Sequence, residues 1–216
     1  MGSDALQGPQ DSSAISPRRP PVVVLTGERG AGKTSSCRSI ARLAASRGWD
    51  VAGVISPASF REGQKVGINV LDLRTGRERP LAFVGGESGS AYCCYSFDEG
   101  AFAWANGVLE SSLPCDLLIV DELGPLEIEL GKGFVSAFDV LRRERYRLAV
   151  VVVRPALVGQ FEARLGLPCS VLRVEPASSG ETPDPDRFPV PWFEEYLTSR
   201  SVPRPGVPRR PRPGRL

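Results

Sequence analysis

The sequence predicts an α/β protein: a mainly parallel sheet with helices on both faces and an antiparallel hairpin added to it. Three observations carry that expectation. Runs such as PVVVLTG, DLLIV and YRLAVVVV are strand-length and continuously apolar, as strands buried on both faces must be. Segments with helical spacing separate them, which is the alternation of a parallel α/β sheet. One intervening stretch, KVGINVLDL then RTG then RERPLAFV, instead alternates with period two about a short centre and reads as a hairpin.

In chain order, Pro21 to Gly27 is a buried strand, followed by a helix from about Thr34 to Arg47. Cys37, Ile40, Ala41 and Ala44 fall on one face of that helix, and Gly48 supplies a stop. Val51 to Ser56 is a second short strand. The hairpin follows, with Val66, Ile68 and Val70 on one side, and Tyr92 to Tyr95 reads as a further strand. Asp98 suits the cap of a helix running to about Ser112, although Gly100 and Gly107 weaken it. After DLLIV, the residues Phe134, Ala137, Phe138 and Leu141 stand at i, i+3, i+4, i+7 and predict an amphipathic helix. Tyr146 to Val153 is a long buried strand, Ala156 to Gly166 a helix and Cys169 to Val174 a last strand. Trp192 to Arg200 has the pattern of a short docked helix.

The 216 residues suit one domain, over 22–175, with tails at 1–21 and 176–216. The first tail is rich in Ser, Pro and Gln, and the second holds 10 of the 20 prolines, a composition expected to stay mostly extended and disordered. Residues 22–175 carry 18 Lys+Arg against 18 Asp+Glu, so the net charge of +2 belongs to 176–216, with seven Arg against five acids. A neutral body is a poor fit to nucleic acid, whereas the basic tail is a place for a protein partner. No apolar run is long enough to span a bilayer and the first residues contain no apolar signal region, so the expectation is a cytoplasmic protein away from membranes. Five cysteines without a CxxC pair, and no histidine at all, exclude zinc-finger spacing and Ser-His or Cys-His hydrolysis.

Directly after the first strand stands GERGAGKTS: Gly27, Glu28, Arg29, Gly30, Ala31, Gly32, Lys33, Thr34 and Ser35. This is G-x-x-x-x-G-K-[ST] between a strand and a helix, the context that motif requires. Glycines let successive N–H groups turn inward on a phosphate, and the helix N-terminus adds its positive end. Lys33 then reaches the β- and γ-phosphates, and the Thr34 hydroxyl ligates Mg²⁺. Arg29 reads as a solvated side chain.

The stretch LLIVDELGPLE runs a buried strand straight into two acids. A phosphate-bound Mg²⁺ needs oxygen ligands, and hydrolysis needs a group to orient water. Ligands of an open parallel sheet sit beyond its carboxyl ends, and Gly27 and Asp121 each follow a strand, so both fall on that edge. Asp121, read as the first residue off its strand, suits the metal; Glu122, one residue further, suits the water. At least two strands separate the loop from Asp121 in sequence, which leaves room for a strand inserted between the two motif strands. No Asn/Thr-Lys-x-Asp sequence for reading guanine is present, so little base discrimination is expected.

These residues resemble the small nucleoside-triphosphatase family typified by thermophile enzymes and a cancer-related nucleoside-triphosphatase. The similarity spans about Val22 to Val174. The family's phosphate loop matches Gly27 to Thr34, and its Ile-Asp-Glu-Ile-Gly segment matches Val120 to Gly124. Its strand between them is similar to SFREGQKVGINVLDLRTG, with Arg61, Lys65 and Gly67. The chain departs where the family has Lys-Met-Glu, keeping only Glu127 after Pro125 and Leu126, and EPASSGETPD lacks the family's Asn-Arg segment. The resemblance implies a P-loop NTPase fold of the RecA-like, additional-strand type. It also implies slow Mg²⁺-dependent hydrolysis of several nucleoside triphosphates, ATP and GTP among them.

Phosphoryl transfer also calls for positive charge at the transferring group. Arg61, in the segment matching the family, is the first candidate beside Lys33 and Glu122; Arg154, just past YRLAVVVV, is the second. The cluster Arg142, Arg143, Arg145 and Arg147 fits a helix C-terminus instead. Two other readings share the loop: a small-molecule kinase passing phosphate to an acceptor, and a nucleotide-gated module whose tail engages a partner. FREGQK and GGESGSA are short for kinase lids.

Overall fold

The computed structural model describes residues 21–85, 95–175 and 190–199. Five strands pair in parallel: β1 (Val22–Thr26), β2 (Val51–Ile55), β7 (Leu117–Leu123), β8 (Leu148–Val153) and β9 (Cys169–Arg173). Four extend the sheet antiparallel: β3 (Ala58–Arg61), β4 (Gln64–Asp72), β5 (Glu78–Val84) and β6 (Tyr95–Phe97). The order is β6-β5-β4-β2-β7-β8-β1-β9, with β3 paired to β4 off that path. One strand, β8, lies between β1 and β7 as the expected inserted strand, although it follows Asp121 in sequence instead of coming from the strands between the two motifs.

Each central strand reads apolar throughout because both faces are covered. Val23, Leu25, Ile119, Val150 and Val152 pack under α1 (Lys33–Ser46) together with Cys37, Ile40 and Ala44. Val22, Val24, Val120, Val151 and Val153 pack on the other face. There they meet α2 (Glu99–Glu110), α4 (Ser136–Arg142) and α5 (Val158–Leu165). Asp98 does cap α2, its carboxylate accepting the Ala101 N–H at 3.0 Å.

Four details differ from the reading of the sequence. β7 continues through both acids to Leu123, so Asp121 belongs to the strand rather than following it; its pairing with β8 shifts between Val120 and Leu123, and the Asp121–Glu122 peptide is cis. The amphipathic segment forms a helix only from Ser136, and Phe134 is buried ahead of it. Tyr146 precedes β8 rather than joining it, its hydroxyl donating to the Leu141 carbonyl at 2.8 Å. The strand expected at Tyr92 to Tyr95 is found at Tyr95 to Phe97, residues 92–94 lying outside the described part.

The docked helix expected at the C-terminal end is α6 (Pro191–Ser199). It seats Phe193, fully buried, with Val190 and Tyr196 on the α1 face. Trp49, Trp192 and Tyr196 surround Phe193 at ring-centroid distances of 6.2, 5.5 and 6.4 Å. The packed fold thus draws on residues beyond 175.

Candidate active site

The segment between β1 and α1 is built as a phosphate cradle. Gly27 is buried at φ 153°, where a Cβ would strike the carbonyl of Val174 beyond β9, so no larger residue fits. Gly32 caps α1 in the left-handed region, with no side chain bonded to the helix N-terminus and no acid in the first turn. The first N–H groups of a 14-residue helix, with the positive end of its dipole, therefore stay uncommitted to side chains. Lys33 Nζ curls back onto the loop, donating to the carbonyls of Gly27 (2.7 Å) and Glu28 (2.8 Å). Glu28, Arg29 and Gly30 are exposed, Ala31 is buried, and Ser35 is half-buried on the first turn. Glu28 lies 3.9 Å from Arg173.

Two strands away, Asp121 is 1% exposed. The Thr34 side chain lies close enough to favour its charged form, bringing loop and acid together. Ser56, at the end of β2, donates its N–H to Asp121 Oδ2 at 3.2 Å and its hydroxyl to the Asp121 carbonyl. Burial, then the neighbouring Glu122 carboxylate, push the Asp121 carboxyl up to about 7, against the bond from Ser56, the nearby Thr34 side chain and the charge of Lys33. A buried carboxyl close to a threonine hydroxyl is a pair of hard oxygen donors, which fits Mg²⁺. Among the described residues no group of three or more His, Cys, Asp or Glu forms a cage. A phosphate-bound Mg²⁺ needs none, since phosphates and water complete its shell.

Glu122 is half-buried at the same edge, and Arg154, the first residue past β8, donates Nε–H to its Oε1 at 2.6 Å. Arg61 has no bond to this group. It ends β3 at the tip of the β3–β4 hairpin, and its exposed side chain makes no hydrogen bond or ion pair with another described residue. The structure thus gathers Lys33, Thr34, Asp121, Glu122 and Arg154, while the Arg61 side chain is bonded to none of them.

Ser56 and the part played by Glu127 were not read from the sequence. A serine closing an apolar strand is a faint signal until β2 is known to lie beside β7. Glu127, on the single turn α3 (Pro125–Ile128), is buried and accepts the N–H of Gly124 at 2.8 Å and of Phe134 at 3.1 Å. Burial raises its carboxyl above the ordinary range. Gly133 makes room for it, since a Cβ there would strike the Glu127 carboxylate. The turn that follows the paired acids is held in this way.

A glycine loop at a helix N-terminus, with an acid pair two strands away on the same sheet edge, defines a nucleotide-binding fold of the phosphate-loop type. A family model described as NTPase matches residues 22–176, and the chain belongs to that family. Among its relatives is nucleoside-triphosphatase THEP1 of Methanosarcina acetivorans, 34% identical over 133 residues that make up 60% of this chain and 74% of that protein. THEP1 of Thermofilum pendens is 30% identical over 144 residues, 66% of this chain and 79% of that protein. In solved structures the fold is similar to a human cancer-related nucleoside triphosphatase, with a TM-score of 0.58, 23% identity, and coverage of 83% of this chain and 96% of that one. It is also similar to THEP1 from Aquifex aeolicus, with a TM-score of 0.53, 16% identity, and coverage of 82% and 98%. Among the described residues no helix is long and apolar enough to cross a membrane.

Proposed function

We propose that this chain hydrolyses nucleoside 5′-triphosphates to diphosphate and phosphate with Mg²⁺, discriminating little among bases such as those of ATP and GTP. The observation that carries the reading is the half-buried Glu122 beside the Thr34–Asp121 pair, on the edge where the phosphate loop opens. Loop and α1 N–H groups bind the β- and γ-phosphates, and Lys33 exchanges the Gly27 and Glu28 carbonyls for phosphate oxygens. Thr34 and Asp121 would hold Mg²⁺, which when bound adds positive charge to the phosphate oxygens. Ser56 fixes the Asp121 carboxylate for that purpose. Glu122 orients water and takes its proton as it attacks. Arg61 enters the reading as a second cation for the γ-phosphate.

Phosphate release from the four common nucleoside triphosphates, with and without added alcohol or nucleoside acceptors, tests this directly. Steady release without acceptor, abolished by a chelator, is the expected result. Turnover that appears only with an acceptor would make the chain a kinase.

A further inference from the structure

Arg154 is placed between the two halves of the site. β8, which it terminates, pairs on one side with β7, carrying Glu122, and on the other with β1, leading into the phosphate loop. Neighbouring strands are about 4.8 Å apart, so the root of Arg154 stands one strand spacing from each. Its Nε–H is committed to Glu122 Oε1 at 2.6 Å, while its two terminal nitrogens have no hydrogen-bond partner among the described residues. Side-chain exposure of 59% for Arg154 and 35% for Glu122 makes this a solvated pair, cheap to break. Yet the oxygen that accepts the Arg154 proton is one of the two that Glu122 has to offer an attacking water.

We propose that Arg154 is an internal sensor of the third phosphate, which holds Glu122 in the nucleotide-free chain and exchanges it for the γ-phosphate when a triphosphate fills the loop. Resting on the hydrolase reading above, the inference adds regulation of that site. A planar guanidinium matches phosphate oxygens with two donors at once, so a triphosphate outcompetes one partly solvated carboxylate. A diphosphate offers no γ-oxygens and leaves the pair intact. Glu122 is thereby released to water only when there is a phosphoryl group to transfer, and the cation that was holding it moves to the charge that develops.

The test compares wild type, Arg154→Ala and Arg154→Lys as full-length chains. Affinities for ADP and for a non-hydrolysable ATP analogue, both with Mg²⁺, are measured by calorimetry, and the Arg154 Nε resonance is followed by NMR. Wild-type phosphate release runs as a separate control, so failure of the hydrolase reading is seen independently. Expected are a triphosphate-over-diphosphate preference that falls at least tenfold in Arg154→Ala, with ADP affinity unchanged, and partial recovery in Arg154→Lys. The Nε resonance should move with the ATP analogue and not with ADP, and kcat should drop about 10²-fold or more. An unchanged preference ratio in Arg154→Ala overturns the proposal whatever happens to kcat. So does a resonance that responds equally to both nucleotides.

Discussion

Replacing Phe193 with alanine removes a ring that is fully buried between α6, α1 and Trp49. Truncating a buried phenylalanine costs about 3–5 kcal/mol through lost transfer energy and the cavity left behind. α6 is the last described element and can settle inward, so the lower end of that range is expected. For a chain of this size each kcal/mol moves the melting temperature by about 2–4 °C, giving a drop of roughly 6–12 °C. The site should be untouched. Tyr196 bonds the Arg147 carbonyl just before β8 and Arg147 covers Trp49 just before β2, so α6 braces the amino edge, opposite the phosphate loop. Calorimetric melting, paired with phosphate release at 25 °C, measures both. A melting temperature within a degree of wild type would refute the packing argued here. The same packing predicts that cutting the chain after Val190 lowers its melting temperature.

Lys33→Ala removes the ammonium that bonds the loop carbonyls and should raise KM and lower kcat together; unchanged kcat/KM would exclude the loop as the binding site. Asp121 supplies a pH effect whose sign is fixed. Its folded carboxyl is raised from 3.8 to about 7, so the protonated form is favoured by folding, and that stability is lost as pH rises through about 7. In metal-free, nucleotide-free protein Asp121→Asn should therefore melt above wild type at pH 8, by an amount on the order of 4 kcal/mol at most, with the gap closing toward pH 4. Added Mg²⁺ and triphosphate should reverse that order; melting curves parallel at all pH values would contradict it. Arg61→Ala should lower kcat less than Arg154→Ala does, as judged by steady-state turnover, because Arg154 bonds Glu122 and the Arg61 side chain bonds no described residue of the site.

The parts of the site written within one segment were legible. Gly27 to Thr34 between strand and helix can do little else, and the paired acids stand where a buried strand meets the edge. The parts that depend on which strands become neighbours were not. Ser56 and Asp121 are 65 residues apart and Arg154 and Glu122 are 32 apart, and each pair meets only because β2 and β8 flank β7. Hydrophobic periodicity sets local elements but not that order. Asp121 looked like a loop residue because charge is foreign to a buried strand; Ser56 and Thr34 are what let it stay there. Arg61 stands out through its segment, whereas the bond from Arg154 to Glu122 is marked by no motif.

Glu122→Gln is the most direct test of the central claim that this edge hydrolyses triphosphates with Glu122 as base. The change keeps size and hydrogen bonding but removes the proton acceptor, and loss of a positioned base costs about 10²–10⁴-fold in rate. Single-turnover phosphate release and equilibrium nucleotide binding, measured on one preparation with saturating Mg²⁺, separate chemistry from affinity. The account predicts ATP bound as tightly as by wild type and hydrolysed at least about a hundredfold more slowly. Release at the wild-type rate would contradict it.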